Sequence, residues 1–282
     1  PTSFCASPTP MTPPTRQWLV LTGITPLLGD GPADAWRGAI RAAARRGVRV
    51  AVDLNHRPAL GDFDSLWKIV EAELPRLSLL VLSEGDVRKL APKVLGSTNR
   101  APLQLPGAPL PPDAEAAQFA ACLRDLRRTM GVPLLALTLK RPLDGTAANG
   151  GANGHGNVIL PGGNRRASIV AYDGGLAGTF NTPVEHYPVQ PLGGGDAWLA
   201  GFVSAAIELG VEAVPSAAAE AVRAPLGDAS HRAEPLERAC RRGDLLAALS
   251  QESHGDISHV PAAELLAAER ASRGATARLP PA

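Results

Sequence analysis

Between Trp18 and Leu139 the chain alternates short, nearly continuous apolar runs with stretches whose apolar residues recur every three to four positions. The runs Trp18–Thr22 (WLVLT), Val48–Leu54 (VRVAVDL), Leu77–Leu82 (LSLLVL) and Leu134–Leu139 predict strands buried on both faces, as in a parallel sheet. The periodic stretches predict helices. Ala33–Arg46 carries Trp36, Ile40 and Ala43 or Ala44 on one face and stops at Gly47. Leu66–Leu74 is a second helix, a third opens over Gly85–Leu90, and Glu115–Met130 ends at Gly131-Val132-Pro133. This alternation implies a mostly parallel sheet with helices on both faces. Ile169–Ala171 and His186–Val189 are candidate short strands. Ala197–Leu209 is an apolar helix that follows a glycine cluster directly, and Ala213–Val222, Leu236–Leu249 and Ala262–Arg273 read as alanine-rich helices.

The breaks in the pattern set the domain limits. Pro1–Thr15 holds five prolines and no periodicity, so a leader without fixed structure is expected over 1–15. The Pro-rich Ala101–Asp113 and the Gly/Asn/Ala tract Gly145–Asn157 read as surface loops inserted into one domain spanning 16–274, with a disordered tail over 275–282. At 282 residues with 45% hydrophobic content, the chain is long enough to bury a large core. Twenty-eight Lys and Arg against 27 Asp and Glu leave a net charge of +1, which gives no reason to expect a nucleic acid or an anionic membrane as partner. No apolar run approaches the roughly 20 residues of a membrane span. Cys5, Cys122 and Cys240 are scattered and form neither a disulfide framework nor a Cys-x-x-Cys knuckle, so a reducing cytoplasmic or organellar compartment is expected. The chain begins at Pro1, so a targeting signal cannot be read from it.

Two segments carry candidate chemistry. In Leu192-Gly193-Gly194-Gly195-Asp196-Ala197-Trp198, glycines let backbone N–H groups converge at the positive end of the following helix, an arrangement that binds phosphate. Asp196 stands where it could take a proton from a hydroxyl attacking that phosphate. An ordinary glycine turn with an aspartate favouring the helix start is the alternative. In Asp53-Leu54-Asn55-His56-Arg57-Pro58, just past a predicted strand, Asp53 and Asn55 offer acceptors and Arg57 a guanidinium fork to a polyol or carboxylate. A hydrogen-bonded corner fixed by Pro58 is the alternative there. His155, His231, His254 and His259 lack metal-ligand spacing and read as surface residues; Cys122 reads as core. The pairs Arg45-Arg46, Arg127-Arg128 and Arg241-Arg242 read as solvated helix ends.

In this order and spacing the segments resemble the PfkB, or ribokinase-like, family of carbohydrate kinases. Leu21-Thr22-Gly23-Ile24-Thr25 is similar to its Ser-Gly-Ile strand end. Asp53–Arg57 with Leu66-Trp67 is similar to the D-x-N-x-R…L-W segment of its 2-keto-3-deoxygluconate kinases and fructokinases. Ser83-Glu84-Gly85-Asp86 takes the place of N-x-x-E, Leu137–Lys140 that of the strand bordering the nucleotide, and Gly193–Asp196 that of G-A-G-D. The resemblance covers roughly Trp18 to Leu266.

It implies a three-layer α/β/α sandwich and transfer of the ATP γ-phosphoryl group to a sugar hydroxyl. Asp196 would be the catalytic base and the amides of Gly193, Gly194 and Gly195 the anion hole. Asp53, Asn55, Arg57, Gly23 and Ile24 would line the sugar pocket, with Arg57 facing a substrate carboxylate. Thr138 and Lys140 would lie beside the nucleotide, and Asp86 would organise Mg²⁺ and phosphates, through water. The resemblance favours 2-dehydro-3-deoxygluconate as acceptor; a fructokinase- or ribokinase-type enzyme and a catalytically degenerate relative are the alternatives. A monovalent cation is a further cofactor in this family. The family's first strands, Gly-Gly…Asn motif and β-lid have no counterpart in the sequence, and pairing into a homodimer is expected only if a lid is supplied upstream. The chain departs from the family at Ser83, Asp86, Lys140 and Cys240.

Overall fold

The computed structural model describes residues 17–96, 112–143, 163–190, 192–211, 233–252 and 258–276. Its centre is a seven-stranded sheet. Strands β1 (Trp18–Thr22), β2 (Arg49–Asp53), β3 (Leu79–Ser83) and β4 (Leu134–Pro142) run parallel and lie side by side in chain order. Antiparallel to them, β5 (Asn164–Tyr172) pairs with β4 on one side and with β6 (Gly175–Gly178) and β7 (Val184–His186) on the other.

Sequential winding of parallel strands with right-handed crossovers sends every connecting helix to the same face. That face carries α1 (Asp30–Arg45), α2 (Phe63–Glu71), α3 (Glu84–Leu95) and α4 (Pro112–Met130). Trp36, Leu66, Leu90 and Phe119 from these helices pack on Val50, Val52, Leu80, Leu82 and Leu137. The alternate positions of the same strands, Ala51, Leu79, Val81 and Ala136, point the other way. They are covered by Trp198 and Phe202 of α5 (Gly194–Glu208) and Leu236 and Ala239 of α6 (Ala233–Gln251). A last helix, α7 (Ala262–Thr276), packs on α6. The expected three-layer sandwich is therefore present. Among the described residues no helix is long and apolar enough to cross a membrane.

The helix starts follow from local chemistry. Asp62 caps α2 by accepting from the Ser65 N–H at 2.8 Å. Ser83 and Asp86 form a reciprocal capping box on α3. The structure corrects several boundaries. The strand expected at His186–Val189 is Val184–His186 instead. Pro188 has no N–H for a ladder, and the amides of Val189 and Gln190 donate to the Gln251 carbonyl. The β6 strand escaped the pattern because it begins and ends with glycine. Helix α4 starts at Pro112, inside the expected insert 101–113, and α7 runs to Thr276, inside the expected tail. The leader 1–15, the loop Gly145–Asn157, the helix expected at Ala213–Val222, and Cys5, His155, His231 and His254 lie outside the described residues.

Candidate active site

The carboxyl ends of β2, β3 and β4 open onto one cavity of about 200 Å³, where ligands gather in open parallel sheets. Asp53, Asn55, His56, Arg57, Val81, Ser83, Asp86, Thr138 and Gly195 line it. The adjacent register brings these distant segments together: Asp53 is level with Val81, and Ser83 with Thr138. Asn55 turns the chain over the cavity with φ 39°, a left-handed conformation that asparagine tolerates better than most residues. Arg57 is exposed at the rim.

Gly23 and Ile24 stand behind this wall and do not line the cavity. The Gly23 N–H donates to the Asp53 carbonyl at 2.8 Å, and a Cβ at Gly23 would fall 2.2 Å from the Leu54 carbonyl oxygen. Glycine is required there by close backbone approach. The Ile24 N–H donates to Thr22 Oγ1 at 3.3 Å.

Two carboxylates, Asp53 and Asp86, line the cavity, and a third, Asp196, stands just outside its lining, next to Gly195. Burial pushes the Asp53 carboxyl up to about 7, and the charges of Asp86 and Asp196 add to the shift against the Asn55 N–H and Arg57. Asp86 is 3% exposed, and its Oδ2 accepts from the Ser83 N–H at 2.9 Å and Ser83 Oγ at 2.6 Å. Asp196 lies in the first turn of α5, exposed to solvent.

The start of α5 presents its backbone donors. Gly193 is left-handed with φ 66°, and intrahelical bonding begins with the Ala197 N–H to the Gly193 carbonyl at 2.9 Å. The N–H groups of Gly193, Gly194, Gly195 and Asp196 are therefore free of the helix ladder. Gly195 faces the cavity: a Cβ there would lie 3.7 Å from Asp53 Oδ2. Thr138 joins the cavity wall, and Lys140 follows two residues later on the same strand face. Burial lowers the Lys140 amine to about 8, with Arg166 contributing.

Sequence reasoning missed His56 as a site residue. Its Nε2 bonds the Gly61 carbonyl at 3.0 Å and its Nδ1 meets Lys89 Nζ at 3.2 Å, which places the ring proton on Nε2. The one available signal was its place inside the D-x-N-x-R segment. It also missed Arg166 and Gln251, which pack beneath Gly194.

No family profile matches the chain. Solved structures do match it. A 2-dehydro-3-deoxygluconokinase from Thermotoga maritima aligns with TM-score 0.60 at 18% identity over 90% of this chain and 60% of its own. An aminoimidazole riboside kinase from Salmonella enterica, complexed with aminoimidazole riboside and an ATP analog, aligns with TM-score 0.54 at 17% identity over 91% and 64%. A fructokinase from Vibrio cholerae O395 in fructose-, ADP- and calcium-bound form gives 0.53 at 16% over 91% and 61%. The chain spans about three-fifths of the length of these structures. At this identity the likeness shows the fold: the chain has the mostly parallel, helix-flanked α/β architecture that these sugar kinases share.

Proposed function

We propose that the chain is the core of an ATP-dependent sugar kinase, with its domain over 16–274. The observation that carries this reading is the start of α5. Free amides follow a left-handed glycine, Gly193, with the exposed carboxylate of Asp196 three residues on, and through Gly195 the turn meets a cavity lined by Asn55, Arg57 and Thr138. In this reading Asp196 takes the proton of an acceptor hydroxyl as its oxygen attacks the γ-phosphorus. The bond from that phosphorus to the β,γ-bridging oxygen breaks, ADP leaves, and the amides of Gly193–Gly195 hold the developing charge. Asp53 and Asn55 accept from sugar hydroxyls, and Gly23 and Ile24 support that wall from behind. Thr138 and Lys140 lie beside the nucleotide phosphates.

Among the described residues no group of three ligating side chains stands close enough to hold a metal ion alone. A divalent ion such as Mg²⁺ fits this site as part of a metal–nucleotide complex, with Asp86 holding its water shell. When bound, it would neutralise phosphate charge.

Arg57, a cation at the rim of the sugar wall, favours an acceptor that carries a carboxylate. The reading is therefore of 2-dehydro-3-deoxygluconate converted to its 6-phosphate. The test is an ADP-release assay with this acid sugar and fructose in competition. Asp196→Asn should lower turnover by about 10²- to 10⁴-fold while leaving the fold intact. Arg57→Ala should raise KM for the acid sugar and leave that for fructose unchanged. Full turnover by Asp196→Asn would overturn the kinase reading, and equal use of both sugars by the unmodified chain would overturn the acid-sugar preference.

A further inference from the structure

The underside of the Gly193–Gly195 turn is charged. Arg166 on β5 is only 8% exposed, yet among the described residues its guanidinium hydrogen-bonds only neutral groups. Its Nη2 donates to Gln251 Oε1 at 2.5 Å and its Nε to His186 Nε2 at 3.4 Å. Burial, with Arg166 adding to it, lowers His186 to about 4, so the ring is uncharged at neutral pH. The carboxylate of Asp244 attracts Arg166 from beyond ion-pair distance, while its oxygens accept from Trp198 Nε1 at 3.0 Å, Ser168 Oγ at 3.1 Å and the Thr179 hydroxyl, and burial still leaves the Arg166 guanidinium lowered. A buried cation without a carboxylate within ion-pair reach is costly unless something else supplies negative charge.

Two further observations point the same way. Lys140 stands directly opposite Arg166 in the β4–β5 ladder, on the strand face whose Thr138 lines the cavity beside Gly195. Like charges paired across strands repel, and the positive end of α5 adds to them. Asn164, two residues from Arg166 on the same strand face, is wholly buried with neither amide atom partnered among the described residues. Arg166 also fixes the turn itself. A Cβ at Gly194 would lie 2.4 Å from Arg166 Nη2 and 2.6 Å from Gln251 Nε2. Gln251 Nε2 in turn donates to the Leu192 carbonyl at 3.4 Å, at the entry to the turn.

We propose that Lys140 and Arg166 form the charged floor of a polyphosphate seat. Lys140 contacts the phosphates, and Arg166 is a positioning residue that sets and charges the Gly193–Gly195 amides from below through Gly194 and Gln251. The inference deepens the kinase reading, on which it rests for the identity of the anion's carrier. The seat itself is probed with inorganic tripolyphosphate, which has neither base nor sugar.

The experiment measures tripolyphosphate affinity by calorimetry, and melting temperature with and without it, at fixed ionic strength. The proteins compared are the unmodified chain, Lys140→Gln, Arg166→Gln and Arg166→Lys. Lys140→Gln should melt higher than the unmodified chain without anion, because a repulsion is removed, and should bind about tenfold more weakly. Arg166→Gln should also lose about tenfold, and Arg166→Lys should stay within about threefold. A purely structural role for Lys140 would lower its melting temperature and leave affinity alone. Equal affinity in Lys140→Gln and the unmodified chain, or no binding to the latter at millimolar tripolyphosphate, overturns the seat. If Arg166→Gln does not fold, Lys140→Gln and Arg166→Lys decide the matter. Tripolyphosphate binding with the expected pattern but no sugar turnover retains the seat and removes the kinase. Turnover with an unchanged KM for ATP in Lys140→Gln does the reverse.

Discussion

Asp53 is held in surroundings that oppose its charge: buried, and facing Asp86 and Asp196, its carboxyl stands at about 7 against an ordinary 3.8. Between those two values the folded chain keeps a proton that the unfolded chain has released. Stability therefore falls as pH rises from about 4 to about 7. Asparagine mimics the protonated form without the charge. Asp53→Asn should be more stable than the unmodified chain at pH 8, by roughly 1–2 kcal/mol after solvent screening, and no more stable at pH 4. A melting series read at both ends tests this; a gap that stays constant with pH would assign the effect to packing. Asp53, Asn55 and Arg57 were legible in the sequence because their chemistry is spelled out within five residues behind a strand. The hydrogen bonding of His56 was not, since Lys89 lies 33 residues away and meets it only in the fold.

At the scale of elements, the position of Asp196 depends on how α5 crosses α6. The two helices touch backbone to backbone. A Cβ at Gly201 would lie 2.8 Å from the Arg242 carbonyl oxygen, and one at Gly243 would lie 2.9 Å from the Trp198 carbonyl oxygen. This approach lets Trp198 Nε1 reach Asp244 Oδ1 and pins the first turns of α5, where Asp196 sits. Gly201→Ala gains about 1 kcal/mol of helix propensity, but it must push the helices apart. Overpacking should win, with a net loss of roughly 1–3 kcal/mol in urea unfolding. A stabilised variant would show that the crossing has slack. Strands β1 to β4 and most helices were readable because buried runs and helical periodicity survive in a single chain. The ends moved by a few residues, and β6 stayed hidden. A Cβ at its Gly178 would lie 2.2 Å from the Ser168 carbonyl oxygen, so packing selected a residue with no strand propensity.

At the scale of the molecule, one winding rule places α1 to α4 on one face and leaves the other to α5 and α6, whose glycine-led start then meets the strand ends. The cavity rim was readable because each contributor sits beside a strand end or a glycine cluster. The floor was not: Arg166 and Gln251 are 85 residues apart, and nothing local marks them as partners. That buried floor and the cavity together shape the stability of the whole chain against pH. Burial raises Asp244 to about 6, as it raises Asp53 to about 7, and each carboxyl removes stability as pH climbs toward its folded value. His186 works against them. Lowered to about 4 from 6.5, it adds stability as pH rises through that interval. Burial pushes Glu84 up, but Arg88 and Arg141 outweigh it and leave it lowered, so its contribution is lost as pH falls through the acidic range. Between about pH 4.5 and 6, two carboxyls outweigh one imidazole, and between about 6.5 and 7 Asp53 acts alone. The melting temperature should therefore be highest at the acid end of that range, near pH 4.5, and fall toward pH 8, with Asp53→Asn flattening the neutral side of the curve. A scanning-calorimetry series from pH 4.5 to pH 8 that rises throughout would show that the buried carboxyls are ionised at little cost.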